Sequence, residues 1–337
     1  MAVITTVILP VFFVVALGYL VRKFGKLDER VISRVQLYIL TPSLIFMAMA
    51  GTNADNGLIM KVLLHVTLLS ILLYIAAQIF GGLRKAGSIE RNAISMSALF
   101  TNSGFYGIPV CMLAFGEQGV VYAAIYVVCS AAIQATAGVY IASAGNRKPL
   151  EALATVFKVP LVYAIIFGRL LSQTNMLPPE PFMKMIRLLG QAAIPLGLLL
   201  LGMQLQKIIS ERISERKGAE GTPKPSQAAG SRMGMDSSDE IADRTGPGGN
   251  TAILNGVGAG MLKIVGGFIF GLILLRFFEF DPILRNVILV ESAMPTAVNA
   301  VVYATEFDCR PRLVTVAILT STLVSIISIT LILNYLG

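Results

Sequence analysis

Phe100-Thr101-Asn102-Ser103-Gly104-Phe105-Tyr106-Gly107-Ile108-Pro109 lies inside an apolar run over 92–115, and Glu291-Ser292-Ala293-Met294-Pro295-Thr296-Ala297-Val298-Asn299 lies inside another over 283–303. Proline removes an amide and crowds the preceding turn, so each run reads as a helix interrupted in mid-course. Freed backbone groups inside a bilayer are tolerated only where they face protein or a wet cavity. Asn102 falls 11 residues beyond Arg91, and Thr296 falls 11 beyond Arg285. At the helical rise each is about 16 Å from its own membrane face, near the middle of a ~30 Å core. The two breaks are therefore expected to cross at the midplane. Half-helix N-termini carry positive dipole ends that suit an anion. Asn102, Ser103, Thr296 and Asn299 add neutral donors and acceptors, with Gly104 and Pro295 beside them. Thr101, Gly107, Pro109 and Pro295 are the hinge candidates. No strong basic residue stands at the crossing, which favours dipole-based binding that can release its cargo.

Outward from these runs, the 337-residue chain is 55% hydrophobic and only 14% charged, with a mean hydropathy of +0.75. A soluble domain is about 25% charged, so this is an all-α polytopic membrane protein. Spans are expected near 3–21, 32–50, 58–80, 92–115, 119–142, 159–175, 186–206, 252–277, 283–303 and 313–336. With the N-terminus outside, twenty of the 27 Lys and Arg residues fall in cytoplasmic loops, as the positive-inside bias requires. Both termini are then outside, in a multi-pass plasma-membrane protein, and the net charge of +8 needs no nucleic-acid partner. The basic cluster Arg22, Lys23, Lys26 follows the first apolar run, so that run is read as a retained helix and not a cleaved signal.

The two breaks belong to a larger self-similarity. Pro10 and Gly18 recur with the same spacing as Pro160 and Gly168, Pro42 recurs as Pro195, and Arg91-Asn92 recurs as Arg285-Asn286. Two five-helix units follow, 1–142 and 159–337. Five is odd, so the second enters from the opposite side, and inverted repeats of this kind are built into many secondary transporters. The stretch 207–250 interrupts the second unit. Its Gly-Thr-Pro-Lys-Pro and Ser-Ser-Asp-Glu segments carry almost no large apolar residues and read as a disordered cytoplasmic loop.

Glu291 lies six residues past Arg285, about 9 Å into the core, where a carboxyl group is a candidate for proton or cation coupling. Lys263 is its candidate partner. His65, alone among Leu and Val, is read as a packed residue in preference to a proton relay. Three scattered cysteines and a single histidine supply no metal cluster. The chain has no Gly-Lys-Ser/Thr phosphate loop and no paired acids or His–carboxylate cluster, so neither an enzyme nor a cofactor is expected. The alternative to a carrier is a membrane sensor signalling through 207–250.

With Asn102 to Pro109 ending in Gly-Ile-Pro, Ala192-Ala193-Ile194-Pro195 with Gly202 beyond, and Met294-Pro295 with Asn299, the chain resembles the auxin efflux carriers, which include plant PIN carriers and bacterial malonate-type permeases. The resemblance covers nearly everything outside 207–250. It implies a bile-acid-symporter-like fold, with a scaffold of helices 1, 2, 6 and 7 and a transport domain of helices 3–5 and 8–10. It implies efflux or exchange of a small organic anion, such as a mono- or dicarboxylate, by elevator-type movement; apart from the resemblance, the intramembrane Glu291 points to a proton or sodium ion as the candidate coupling partner. A homodimer is compatible with this reading. Asn102 matches the crossover asparagine that binds substrate in plant members, and Pro295 their ninth-helix crossover proline. The plant carriers have proline where this chain has Thr101, which implies a softer fourth-helix break with Gly104 and Gly107 supplying the flexibility.

Overall fold

A computed structural model describes residues 4–25, 27–50, 56–142, 160–174, 176, 178–220 and 249–336. The described residues are helical, with no strands among them. We number the helices α1 (4–25), α2 (29–50), α3 (Asn56–Leu83), α4 (Ser88–Leu99), α5 (103–115), α6 (117–142), α7 (Pro160–Thr174), α8 (Glu180–Glu220), α9 (249–274), α10 (Pro282–Ser292), α11 (Ala300–Glu306) and α12 (Pro311–Leu336). Among the described residues, seven stretches are long and apolar enough to cross a membrane: Thr5–Gly25, Val31–Ala50, Gly57–Leu83, Ser103–Gly138, Glu180–Ser210, Thr251–Leu274 and Pro311–Leu336. The expected fourth and ninth spans are each divided in two: α4, α10 and α11 are individually too short to count, and α5 is counted together with α6 in Ser103–Gly138. The expected sixth span is described from Pro160 as a 15-residue helix.

Sequence explains the local divisions. α5 and α6 are separated at Gly116, whose backbone (φ 68°, ψ −157°) is open only to glycine. α10 opens on Asp281, whose side chain accepts from the amides of Ile283 and Leu284 at 3.0 and 3.4 Å, with Pro282 at the first helical position where its missing amide costs nothing. One expectation changes: α8 continues to Glu220, into the stretch read as lacking structure, because Glu211-Arg212-Ile213-Ser214-Glu215-Arg216-Lys217 carries strong helix formers. Residues 221–248 lie outside the described residues.

Packing groups the helices in two sets. α1 lies on α8, α2 on α7 and on α8; α9 lies on α12, and α3, α4, α6 and α10 pack around them. Glycines bring the first set together: a side chain at Gly18 would meet the Leu199 backbone, at Gly202 the Val15 backbone, and at Gly168 the Phe46 and Met49 region of α2. Lipid tails provide no hydrophobic drive between helices, so such close backbone approach is how membrane helices gain contact. The sets meet along α5, whose Phe12–Tyr106 edge contact to α1 (6.0 Å) and Phe105 backbone beside Gly197 of α8 form part of the seam.

Candidate functional site at the crossed helix breaks

α4 ends at Leu99 because Phe100 turns extended (φ −78°, ψ 101°). α10 ends at Ser292, and the chain from Ala293 to Asn299 carries Pro295. The two extended stretches cross and bond directly. Thr101 and Thr296 form an isolated antiparallel bridge, with the Asn102 amide donating to Pro295 O at 2.9 Å and the Ala297 amide donating to Phe100 O at 2.8 Å. An antiparallel bridge is two-fold symmetric in itself, so each break satisfies the backbone that the other leaves bare.

Side chains fix the bridge from both sides. Thr296 donates through Oγ1 to Ser97 O at 2.8 Å, and its amide donates to Ser321 Oγ of α12 at 3.1 Å. Gln134 of α6 donates to Thr101 O at 3.2 Å. Phe100 is buried against Tyr303 (ring centroids 5.3 Å apart) and against Gly138, where a side chain would collide with its ring. Ser321 and Gln134 carry no sequence signal for this task; only the fold brings them here.

Beyond the bridge, α5 begins as a π-turn over Ser103–Gly107, with the Gly107 amide reaching back to Asn102 O at 3.1 Å. Pro109 accounts for it: a missing amide in the following turn leaves room for the wider i→i+5 pattern. Asn102 and Ser103 are buried, yet Asn102 Nδ2 and Ser103 Oγ have no hydrogen-bond partner. Ser103 Oγ faces the Glu291 carboxylate short of a well-formed bond. Buried polar groups are nearly always satisfied, so open donors at a helix start are where a ligand's acceptor oxygens would be accommodated.

The other expected residues are placed as follows. Gly104 lies in the π-turn near Val127. Gly107 has ordinary helical angles (φ −64°, ψ −52°), so it supplies space and not flexibility: a side chain there would run into the Glu291 carboxylate. The break lies at 100–102, ahead of both glycines. Pro295 contributes the carbonyl that receives Asn102. Asn299 stands at the start of α11, exposed where Asn102 is buried, with its carbonyl receiving the Val302 and Tyr303 amides. Glu291 and Lys263 are both fully buried behind the crossing and within electrostatic reach of each other. Cys111 donates to Glu291 Oε1 at 3.7 Å. His65 packs edge-on against Phe278 and Phe280, at 5.7 and 6.3 Å. Among the described residues no group of His, Cys, Asp and Glu is arranged to hold a metal.

A cavity of about 310 Å³ opens between the two helix sets, lined by Met47, Met112, Glu117, Met183, Arg187 and Gln191 among others. A smaller apolar one of about 230 Å³ lies between α1, α8 and α12. Both flank the seam, and neither is lined by residues of the bridge.

A family model described as "membrane transport protein" matches this chain over residues 3–152 and 149–333. A protein of Methanothermobacter thermautotrophicus described as an "uncharacterized transporter" is 24% identical over 336 residues, spanning 97% of this chain and 96% of its own. Another so described, from Methanocaldococcus jannaschii, is 22% identical over 343 residues, spanning 96% of each.

Proposed function

The chain belongs to the membrane transport protein family, and from that premise we propose that it is a secondary carrier of a small organic anion, a mono- or dicarboxylate, bound at the crossed breaks. The observation that carries the reading is the Thr101–Thr296 bridge with the buried, open Asn102 Nδ2 and Ser103 Oγ at the start of α5. A carboxylate accepts hydrogen bonds only, so these donors suit it, and the helix start adds its dipole. Thr296 and Pro295 serve as the frame of the site; Gly104 allows the cargo to approach the backbone.

The proposal extends to architecture. The repeat 1–142 and 159–337 is inverted, and the bridge is the point about which its halves exchange. α1 on α8 and α2 on α7 are the corresponding contacts of the two halves, and Gly18 and Gly168, matched in sequence, both serve them. α1, α2, α7 and α8 form the scaffold, and the remaining helices carry the bound anion past it in an elevator movement. Two flanking cavities on the seam are in keeping with access from alternate sides. The stretch 207–250 lies on the cytoplasmic side.

Counterflow into proteoliposomes tests this. Saturable exchange of labelled substrate is expected for at least one of malonate, malate, lactate or indole acetate, abolished by Asn102→Ala in protein that still elutes as a folded species. Non-saturating, channel-like flux, or unchanged kinetics in Asn102→Ala, would remove the proposal.

A further inference from the structure

Behind the bridge a buried lysine is seated against the end of α10. Ser292 is the last residue of α10, so its carbonyl belongs to the negative end of the helix dipole. The Glu291 carboxylate beside it is wholly buried, with Oε2 lacking a hydrogen-bond partner. Into this corner comes Lys263, itself 0% exposed, its Nζ donating to Ser292 O at 3.2 Å. The approach is built into α9. Lys263 sits in the π-turn Leu262–Gly266, and the next glycines, Gly267 and Gly271, press against Ser292, where side chains would strike its carbonyl and its Cβ. Tyr126 closes another side, its hydroxyl meeting Ser292 Oγ at 3.5 Å.

A carboxylate and a helix C-terminus in the membrane core need a positive charge close by. A dissolved cation could provide it only by being bound and carried with the cargo. A lysine ammonium is a compact point charge on a flexible stem, of a size suited to the same place, and it never leaves. We infer that Lys263 is a resident counter-cation: its ammonium, bonded to Ser292 O at the end of α10 and within electrostatic reach of buried Glu291, supplies the positive charge of this corner, and removing its side chain converts its place into a binding site for a small monovalent cation. The inference rests on the carrier reading for its consequence, which is that transport needs no sodium or potassium gradient and is driven by protons or by counter-exchanged substrate.

The test uses full-length protein and three variants. Lys263→Ala opens the space; Lys263→Met fills it without charge; Lys263→Ala/Glu291→Gln removes both charges. Each is melted in detergent, and assayed by counterflow, in choline, sodium or methylammonium chloride at about 100 mM, a concentration at which a weak site would register by mass action. Wild type is expected to behave alike in all three salts. Lys263→Ala in choline should lose about tenfold in flux, as expected for a buried charge left alone, and melt earlier. Methylammonium or sodium should restore much of both. Lys263→Met should be as impaired as the alanine variant and insensitive to the salt. The double variant should fold without added cation and no longer respond, which keeps the idea testable even if Lys263→Ala does not survive extraction.

A wild type that requires sodium would overturn the inference. So would a Lys263→Ala protein indifferent to all three salts, or a double variant that melts as early as the alanine variant in choline. The melting measurements need no substrate: cation-dependent stability without any counterflow would leave the resident cation standing and remove the carrier reading instead.

Discussion

The two breaks share one bridge and are held in opposite ways. On the α10–α11 side, Thr296 is tied at its amide by Ser321 and at its hydroxyl by Ser97 O. The first amides of α11 fold back onto their own turn, Ala300 to Ala297 O and Val301 to Val298 O. Buried Glu291 and Lys263 stand directly behind. On the α4–α5 side, Gln134 and the ring of Phe100 hold the carbonyl edge of the break, while Asn102 and Ser103 keep buried polar atoms open. The two arms thus differ: one break is tied at Thr296 through both its amide and its hydroxyl, and the other keeps Asn102 Nδ2 and Ser103 Oγ unbonded, as the proposed ligand site requires. A carrier built on this plan should lose transport from one arm and stability from the other.

The largest effect expected is at Asn102. Asn102→Ala removes the open amide and should lower exchange more than about tenfold, an effect of roughly 1.4 kcal/mol or more, with melting unchanged or raised because an unsatisfied buried group has gone. Asn299→Ala, at an exposed position on the other arm, should change exchange by less than about threefold. Equal losses at the two asparagines, read from the concentration dependence of counterflow, would mean that the arms bind symmetrically.

Stability should fail on the other arm. Thr296→Pro deletes the amide held by Ser321 and the hydroxyl held by Ser97 O, and leaves Ser321 Oγ facing a ring. Two buried hydrogen bonds lost in this way should cost about 2–4 kcal/mol and shift thermal melting sharply downward. Ser321→Ala tests the same anchor more gently. It removes one neutral partner of a buried amide, so a loss of about 1–2 kcal/mol is expected, with exchange by the surviving folded protein little altered. Melting of Ser321→Ala at the wild-type temperature would show that the anchor is held by something other than this bond.

The crossing was legible because its cues are one-dimensional. Mid-run proline and glycine mark a break, and equal offsets of Asn102 and Thr296 from Arg91 and Arg285 mark equal depth. The family was legible for the same reason, in short ordered motifs. What could not be read is what depends on distant chain. Gly107 looked like a hinge, but its requirement comes from the Glu291 carboxylate lying against it. Lys263 could be named as a partner for Glu291 without any distance, since the glycines that seat it against Ser292 matter only once α9 and α10 are packed. Ser321, Gln134 and the seam residues Arg187 and Gln191 are ordinary polar residues until the helices are assembled. The reach of α8 past 207 was missed for a different reason: overall polarity outweighed local helix propensity, which a charged Glu-Arg stretch satisfies without any core to pack against.

The smallest effect, and the sharpest contrast, is expected from Thr101→Pro. The bridge is made by the Asn102 amide and Phe100 O, so it does not use the amide of residue 101. Phe100 already has the extended backbone that a following proline demands (φ −78°, ψ 101°). The Thr101 hydroxyl makes only a long 3.5 Å contact to Leu99 O, and the carbonyl that receives Gln134 survives the change. Proline should therefore be accepted within about 1 kcal/mol, with a small gain where it stiffens the unfolded chain, and exchange should persist. The same substitution five residues from Glu291, at Thr296, removes two bonds; here it removes only the long Thr101 Oγ1 contact to Leu99 O. If Thr101→Pro and Thr296→Pro melt together, the bridge is held alike from both sides, and the division between an anchoring arm and a binding arm does not exist.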